Sequence, residues 1–186
     1  MTMLSVKPHK KWLLLAVGAF ALITGGVFFA HRRTTEPESY HRSPLWRFTE
    51  NDVSVEIEVR EYASGQREIA GTFTPTREHF HLYGKDLPEN GLNGLGRPTL
   101  LKVTASDGIR SVGSLVANQP IRNLYIETLE LSFPVYPEGP VTLSFPFELT
   151  GGDESASMEL SVTYMACSDK TCLPPVIDKR LRVPLF

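Results

Sequence analysis

The sequence has little cysteine: Cys167 and Cys172 are its only two in 186 residues. One disulfide across so short a loop would contribute only about 2 kcal/mol of stabilisation, so the fold is not held together by disulfides. Other functional motifs are also missing. The glycines of "NGLNGLG" do not have the spacing of a dinucleotide-binding loop, and the sequence gives no basis for a Ser-His-Asp arrangement. We predict no cofactor.

Acidic residues are absent from the first 33 positions, although five of the 19 basic residues lie there. A basic segment, residues 1–11, precedes an uncharged run over residues 12–30. A helix of that length would rise about 28 Å, close to the thickness of a bilayer's hydrocarbon core. Cleavage after Ala30 would place Phe28 where a small side chain is needed. The run therefore predicts an uncleaved transmembrane signal anchor, with a cleaved signal as the alternative.

The part of the chain after the anchor divides into a polar linker, residues 31–44, and one domain, residues 45–186. The linker bears proline and is aperiodic, as expected of a tether, and about 140 residues suffice for a single core. Beyond position 33 the chain holds 14 basic and 21 acidic residues. A net charge near −7 argues against nucleic acid as a ligand. Membrane contact is expected only through the N-terminal helix.

Helical periodicity is lacking outside the anchor, and the apolar residues instead recur at every second position. The clearest alternations are Val53–Val59, Val141–Leu149, Met158–Tyr164 and Leu181–Leu185. Weaker strands are predicted at Glu68–Thr74, His79–Tyr83, Thr99–Thr104, Ile109–Leu115 and Leu124–Phe133. Many short strands separated by glycine and proline turns are typical of an antiparallel sandwich. We predict an all-β, immunoglobulin-like β-sandwich preceded by one transmembrane helix.

The two cysteines lie in "VTYMACSDKTCLPP", at the end of the third alternation. If Met158–Tyr164 faces the core, Met165 and Cys167 face the other way, so we expect Cys167 on an accessible side. Cys172 follows a four-residue turn and can approach within disulfide distance. A structural disulfide, half of a metal site and a redox pair all remain open at this point.

Neighbouring residues bear on these alternatives. Lys170 inside the turn favours a thiolate, whereas Asp169 opposes it. A zinc site would need His79 and His81, which alternate onto one face of a predicted strand, as two further ligands. Nothing in the sequence brings those histidines to the cysteines, and we predict no metal.

A resemblance to a known family favours the redox interpretation. The segment "SMELSVTYMACSDKTCLPPVIDKRLRVPL", Ser157 to Leu185, resembles the end of the N-terminal domain of DsbD, a bacterial protein-disulfide reductase. It shares a strand ending Tyr-x-x-Cys, a short loop, Cys-x-Pro-Pro and a closing strand ending Val-Pro-Leu. The upstream segments "HFHLYGKDLP" and "GRPT" are similar as well. The resemblance extends over Leu45 to Phe186 and is strong over about 30 residues.

The resemblance implies thiol–disulfide exchange in the periplasm. Together with the anchor predicted over residues 12–30, it predicts a single-pass protein of the bacterial inner membrane. Cys167 and Cys172 would be the catalytic redox pair, with Cys172 the one joined to partners. These partners would be thioredoxin-like redox proteins and oxidised extracytoplasmic proteins. The sequence has no Cys-x-x-Cys, so we expect electrons to come from another protein. The alternative is an immunoglobulin-like binding or assembly module with an inert disulfide.

The family also has a cap loop whose aromatic tip covers the cysteines. Its best equivalent here is Leu124 with Tyr125, and His81 and Tyr83 are the expected facing wall. The alternative is that Leu124 and Tyr125 are ordinary core residues of a strand. The family's loop carries acidic residues before the aromatic pair, whereas "PIRNLYIE" has arginine and asparagine there. Acid–base assistance from that loop is therefore not expected.

Overall fold

The computed structural model describes residues 39–150 and 156–185. Within these residues the chain forms β-strands and one short 3-10 turn, Glu127–Leu129. The strands are β1 Tyr40–Glu50, β2 Val53–Tyr62, β3 Arg67–Pro75, β4 His81–Leu82, β5 Leu100–Asp107, β6 Ile109–Val112, β7 Val116–Ala117, β8 Arg122–Ile126, β9 Leu131–Val135, β10 Val141–Leu149, β11 Ser157–Tyr164, β12 Ala166–Cys167 and β13 Val176–Pro184.

Two antiparallel sheets enclose the main core. One has the order β1-β2-β3-β10-β6, with β7 also paired to β10, and the other has the order β13-β11-β5. Alternate residues of both sheets point inward, so Val55 and Ile57 of one and Leu160 and Val162 of the other are fully buried in the same cluster. Their inward and outward alternation is what a sandwich requires. The predicted all-β sandwich is confirmed.

Two smaller ribbons complete the fold at one end. β4 pairs with β12, and β8 pairs with β9, both antiparallel. We call the second ribbon, residues 122–135, the β8–β9 hairpin. Isolated contacts tie it to β4: the amide of Gly84 donates to the carbonyl of Pro134 at 2.8 Å, and Tyr136 donates to Leu82 at 2.9 Å. Both ribbons therefore form one continuous wall beside the cysteines.

The strongly alternating segments are strands. The largest differences from expectation are at β1 and at the predicted strand Leu124–Phe133; the predicted strands His79–Tyr83 and Ile109–Leu115 are also shorter, at His81–Leu82 and Ile109–Val112. β1 begins at Tyr40, inside the stretch predicted as linker. Only a few of its side chains reach the core, so its apolar alternation is faint. The predicted strand Leu124–Phe133 is instead a hairpin, because the chain reverses at the 3-10 turn with Glu130 at a positive φ of 51°. No proline or glycine marks that turn.

The described residues include no helix long and apolar enough to cross a membrane. The predicted anchor, residues 12–30, lies outside the described residues, as does most of the predicted linker.

Candidate functional site

The cysteines close a tight hairpin at the end of the three-stranded sheet. Cys167 and Cys172 form a disulfide, with 4.0 Å between their Cα atoms. Ser168 organises the turn: its amide donates to the carbonyl of Thr171 at 2.8 Å, and its Oγ accepts from the amides of Lys170 and Thr171 at 3.3 and 3.2 Å. A serine at this position supplies hydrogen bonds that water would otherwise provide.

The β4–β12 ribbon separates two apolar clusters. Leu82 and Ala166, which are paired across the ribbon, face the main core. Cys167 faces the other way, into a second cluster with Tyr83 and Phe133. The predicted direction of Cys167, away from the main core, is therefore correct. The expected accessibility is wrong, because the second cluster covers that face and leaves Cys167 only 2% exposed.

The two sulfurs of the disulfide lie in different environments. Cys167 is buried, whereas Cys172 on the other strand of the hairpin is exposed to solvent. A thiolate from another protein can approach Cys172 without displacing the second cluster. Exchange of a disulfide begins by attack on one sulfur and leaves the electron pair on the other. The exposed half of the disulfide is therefore Cys172, and Cys167 is the covered half.

Tyr83 touches both sulfurs. Its Oη lies 3.4 Å from Cys167 Sγ and 4.0 Å from Cys172 Sγ. A disulfide sulfur has no hydrogen, so the phenol is the donor in these contacts. The ring packs edge-on against Phe133, with 5.6 Å between centroids. Burial raises the pKa of Tyr83, which keeps its hydroxyl protonated and able to donate.

His81 is the register partner of Cys167 in the β4–β12 ribbon. Paired residues of antiparallel strands project from the same face, and the imidazole lies edge-on to Tyr83 at 6.2 Å. The side chain is 2% exposed. Burial first, and then the positive charge of Arg122, lower the pKa of His81. The neutral imidazole is therefore the stable form near pH 7.

The β8–β9 hairpin supplies the cover. Leu124 and Phe133 lie opposite each other in its register and both belong to the second cluster. Tyr125 projects from the opposite face and is 60% exposed. The structure thus brings Leu124, His81 and Tyr83 together around Cys167 but leaves Tyr125 outside. Phe133, which the sequence analysis did not single out, takes the aromatic position in the cover.

The loop that contains Gly96 and Thr99 holds Tyr83 in place. The sequence did not indicate that this loop belongs to the site. Thr99 donates from Oγ1 to the carbonyl of Tyr83 at 2.7 Å. Gly96 lies against the ring, where a Cβ would come within 3.2 Å of two ring carbons. Arg97 bonds the carbonyls of Asn90, Gly94 and Gly96. The residues of "GRPT" therefore position Tyr83, and the sequence similarity of that segment was the available signal.

Two prolines follow the exposed sulfur. Pro174 and Pro175 are both exposed, and the carbonyl of Pro174 accepts a hydrogen bond from Asn51 Nδ2 at 2.9 Å. Between them and Cys172, Leu173 donates its amide to Ala166 at 2.9 Å. The chain leaving Cys172 is thus held by side-chain and turn contacts rather than by a strand ladder.

The two histidines of the zinc alternative do not share a face. His79 has a positive φ of 63°, precedes β4 and faces Glu138, with 3.4 Å between Nδ1 and Oε2, whereas His81 is buried. In residues 39–150 and 156–185, no group of three or more potential metal ligands converges.

Comparisons with known proteins give structural neighbours only. No protein-family model and no curated protein matches the sequence. The N-terminal periplasmic domain of ScsB from Proteus mirabilis aligns with 77% of this chain at 11% identity and a TM-score of 0.47. This chain spans about half the length of that domain, 52%.

A second solved structure, the N-terminal domain of DsbD from Neisseria meningitidis in the reduced form, aligns with 62% of this chain and 75% of its own length. The identity is 17% and the TM-score 0.39. At these values the two structures assign no activity to this chain. The structural neighbours are N-terminal domains of ScsB and DsbD, and DsbD is the family that the cysteine motif was found to resemble.

Proposed function

We propose that this chain exchanges thiols and disulfides with other proteins, passing electron pairs through Cys167 and Cys172. The observation that carries the proposal is the asymmetry of the disulfide: Cys172 is exposed, whereas Cys167 is 2% exposed and receives a phenol contact at 3.4 Å. A disulfide that only closed a turn would need neither a hydrogen-bond donor at its sulfur nor a separate apolar cover.

The first half of the reaction reduces the disulfide. A donor thiolate attacks Cys172 Sγ, a mixed disulfide forms, and the electron pair of the broken bond moves to Cys167 Sγ. The Tyr83 hydroxyl then donates to that thiolate. A hydrogen bond to a charged group contributes about 1.5–3 kcal/mol, so the contact favours departure of Cys167. The second thiol of the donor then attacks the donor's sulfur in the mixed disulfide, and Cys172 leaves as a thiolate.

The second half passes the electrons on. Cys172 attacks an oxidised partner and forms a mixed disulfide, and Cys167 then attacks Cys172 to restore the internal bond. We propose thioredoxin-like redox proteins and oxidised extracytoplasmic proteins as the partners. An anchor at residues 12–30 would place the domain at the periplasmic face of the bacterial inner membrane. We also propose that the sandwich has the strand topology of an immunoglobulin-like domain.

The proposal is tested by trapping. In Cys167→Ala, the exposed Cys172 has no resolving thiol, and we expect covalent complexes with partner proteins in non-reducing gels. In Cys172→Ala, the buried Cys167 should trap none. Titration of the wild-type chain against glutathione should give a potential within the range of exchange proteins. A potential below about −300 mV, with no trapped complex, would identify an inert disulfide in a binding module.

The phenol contact is tested separately. We expect Tyr83→Phe to slow reduction of the disulfide by a small thiol by about tenfold, the equivalent of one charged hydrogen bond at its weaker end. Tyr125→Phe removes a hydroxyl from an exposed ring and is the matched control. Equal rates for Tyr83→Phe and the wild-type chain would contradict the role given to Tyr83.

A further inference from the structure

We propose that His81 accepts the proton of the Cys167 thiol when Cys167 attacks the mixed disulfide. The inference rests on the proposed function and adds a proton acceptor to it. His81 would be the group that lets a buried thiol act as a nucleophile near neutral pH.

The placement of His81 carries the argument. It is the register partner of Cys167, and side chains of such pairs have Cβ atoms about 4.5–5.5 Å apart on one face. Both side chains are 2% exposed. In the disulfide, Cys167 Sγ is tied to Cys172. Once that bond opens, rotation about the Cα–Cβ bond of Cys167 carries the sulfur toward the imidazole without movement of the ribbon.

A buried thiol needs such a neighbour. Desolvation disfavours the thiolate, so the thiol pKa rises in an apolar site. Tyr83 donates a hydrogen bond but takes no proton at neutral pH, because burial raises the pKa of its hydroxyl. In the β4–β12 ribbon, the imidazole is the basic side chain next to the buried sulfur.

The charged groups that face His81 come from several elements. Arg122 of β8 opposes protonation of the imidazole, whereas Asp169 of the cysteine turn and Glu138 beyond β9 favour it. Burial opposes it most, and Tyr83, which directly follows β4, adds no charge. The imidazole is thus held neutral and ready to accept, and the two carboxylates moderate the cost of the imidazolium.

The exchange step moves one proton and one electron pair. In the mixed disulfide, the S–H proton of Cys167 moves to a ring nitrogen of His81. Cys167 Sγ attacks Cys172 Sγ, the bond between Cys172 and the partner breaks, and the electron pair leaves on the partner's sulfur. The imidazolium returns its proton to that sulfur or to water. No oxidant beyond the partner disulfide is required.

The step is measured with an aromatic disulfide reagent that releases a coloured thiolate. Applied to the reduced full-length chain, it first modifies the exposed Cys172, and Cys167 then expels a second coloured thiolate in a first-order step. We expect this second rate to rise from acid pH and to level off above the pKa of His81. In His81→Gln it should be about 100-fold slower at neutral pH and should keep rising as the medium becomes alkaline.

His79→Gln is the matched control, because His79 lies two residues away and is exposed toward Glu138; its profile should match that of the wild-type chain. Superimposable profiles for His81→Gln and wild type would overturn the inference while leaving the exchange intact. Absence of a second coloured release in every variant would instead overturn the proposed function.

A second measurement needs no substitution. Nuclear magnetic resonance of the wild-type chain gives the titration of the His81 ring in the disulfide and dithiol forms. We expect the pKa of His81 to differ between the forms, because a proton shared with Cys167 exists only in the dithiol. Identical titrations would overturn the inference even if His81→Gln failed to fold.

Discussion

Thr99 donates a hydrogen bond of 2.7 Å from its Oγ1 to the carbonyl oxygen of Tyr83, and its amide donates to the same atom at 3.3 Å. Thr99 is fully buried, so water cannot replace the hydroxyl. The backbone of the residue that contacts both sulfurs is therefore fixed by a residue 16 positions later in the chain.

The first prediction concerns this bond. Thr99→Val keeps the shape of the side chain and removes the hydroxyl, and we expect the free energy of unfolding to fall by about 1–2 kcal/mol. Thr76 makes the same pair of bonds to Asp52, at 3.0 and 2.8 Å, but at an exposed site. Thr76→Val should change the stability by less than about 0.5 kcal/mol. Urea unfolding of both variants checks the difference, and equal losses would contradict it.

A second prediction uses two glycines with nearly the same backbone conformation. Gly96 has φ +79° and Gly94 has φ +82°, so alanine at either costs about 1–2 kcal/mol for the left-handed conformation. A Cβ at Gly94 meets nothing within 4 Å, whereas at Gly96 it meets Leu87 at 3.1 Å and the Tyr83 ring at 3.2 Å. We expect Gly96→Ala to be less stable than Gly94→Ala by at least about 1 kcal/mol, measured by denaturant unfolding.

The third prediction separates the two residues expected to form the cap. Leu124 belongs to the second cluster, whereas Tyr125 is 60% exposed on the other face. In the reduced chain, Leu124→Ala should raise the alkylation rate of Cys167 severalfold, because a gap opens in its cover. Tyr125→Ala should leave that rate unchanged. Peptide mapping by mass spectrometry distinguishes Cys167 from Cys172. Faster alkylation of Cys167 in Tyr125→Ala, but not in Leu124→Ala, would mean that the face of the hairpin with Tyr125 covers the cysteine.

A fourth prediction concerns acid. The pKa of His81 is lowered in the folded chain, so as the pH falls the unfolded chain binds the proton first. The stability linked to neutral His81 is fully present above the unfolded pKa of about 6.5. It is lost as the pH decreases from there toward the folded pKa of His81. His81→Gln should remove that part of the pH dependence of the urea midpoint, and His79→Gln should not. If the urea midpoint of His81→Gln depended on pH as steeply as that of the wild-type chain, this prediction would be contradicted.

The sandwich was predictable because its central strands alternate strictly. In Val53–Val59 and Met158–Tyr164 apolar residues alternate with polar ones, so a period of two is visible in the residues themselves, although the polar residues Glu58, Ser161 and Thr163 are also buried. β1 and the β8–β9 hairpin were not predictable. β1 pairs through its backbone and buries few side chains, and the hairpin turns at Glu130 in a conformation for which that residue type gives no signal.

The site was predictable in its residues more than in its arrangement. Alternation placed Cys167 away from the main core, as observed. It could not indicate a second cluster on that side, because Phe133 and Leu124 reach it from a segment more than 30 positions earlier. Long-range packing of this kind leaves no periodic signal around the cysteine. Gly96 and Thr99, which position Tyr83, lie farther still from Cys167 along the chain.

Pro174 and Pro175 restrict how another protein can lie against the reactive sulfur. Neither residue has an amide hydrogen, and the carbonyl of Pro174 already accepts from Asn51. An extended chain from a second molecule therefore finds no alternating ladder there to extend. Sheet edges that lack such a ladder resist indiscriminate strand addition and aggregation. A thiolate can therefore still reach Cys172, whereas an extended chain of a misfolded protein cannot form a β-ladder with the backbone at Pro174 and Pro175.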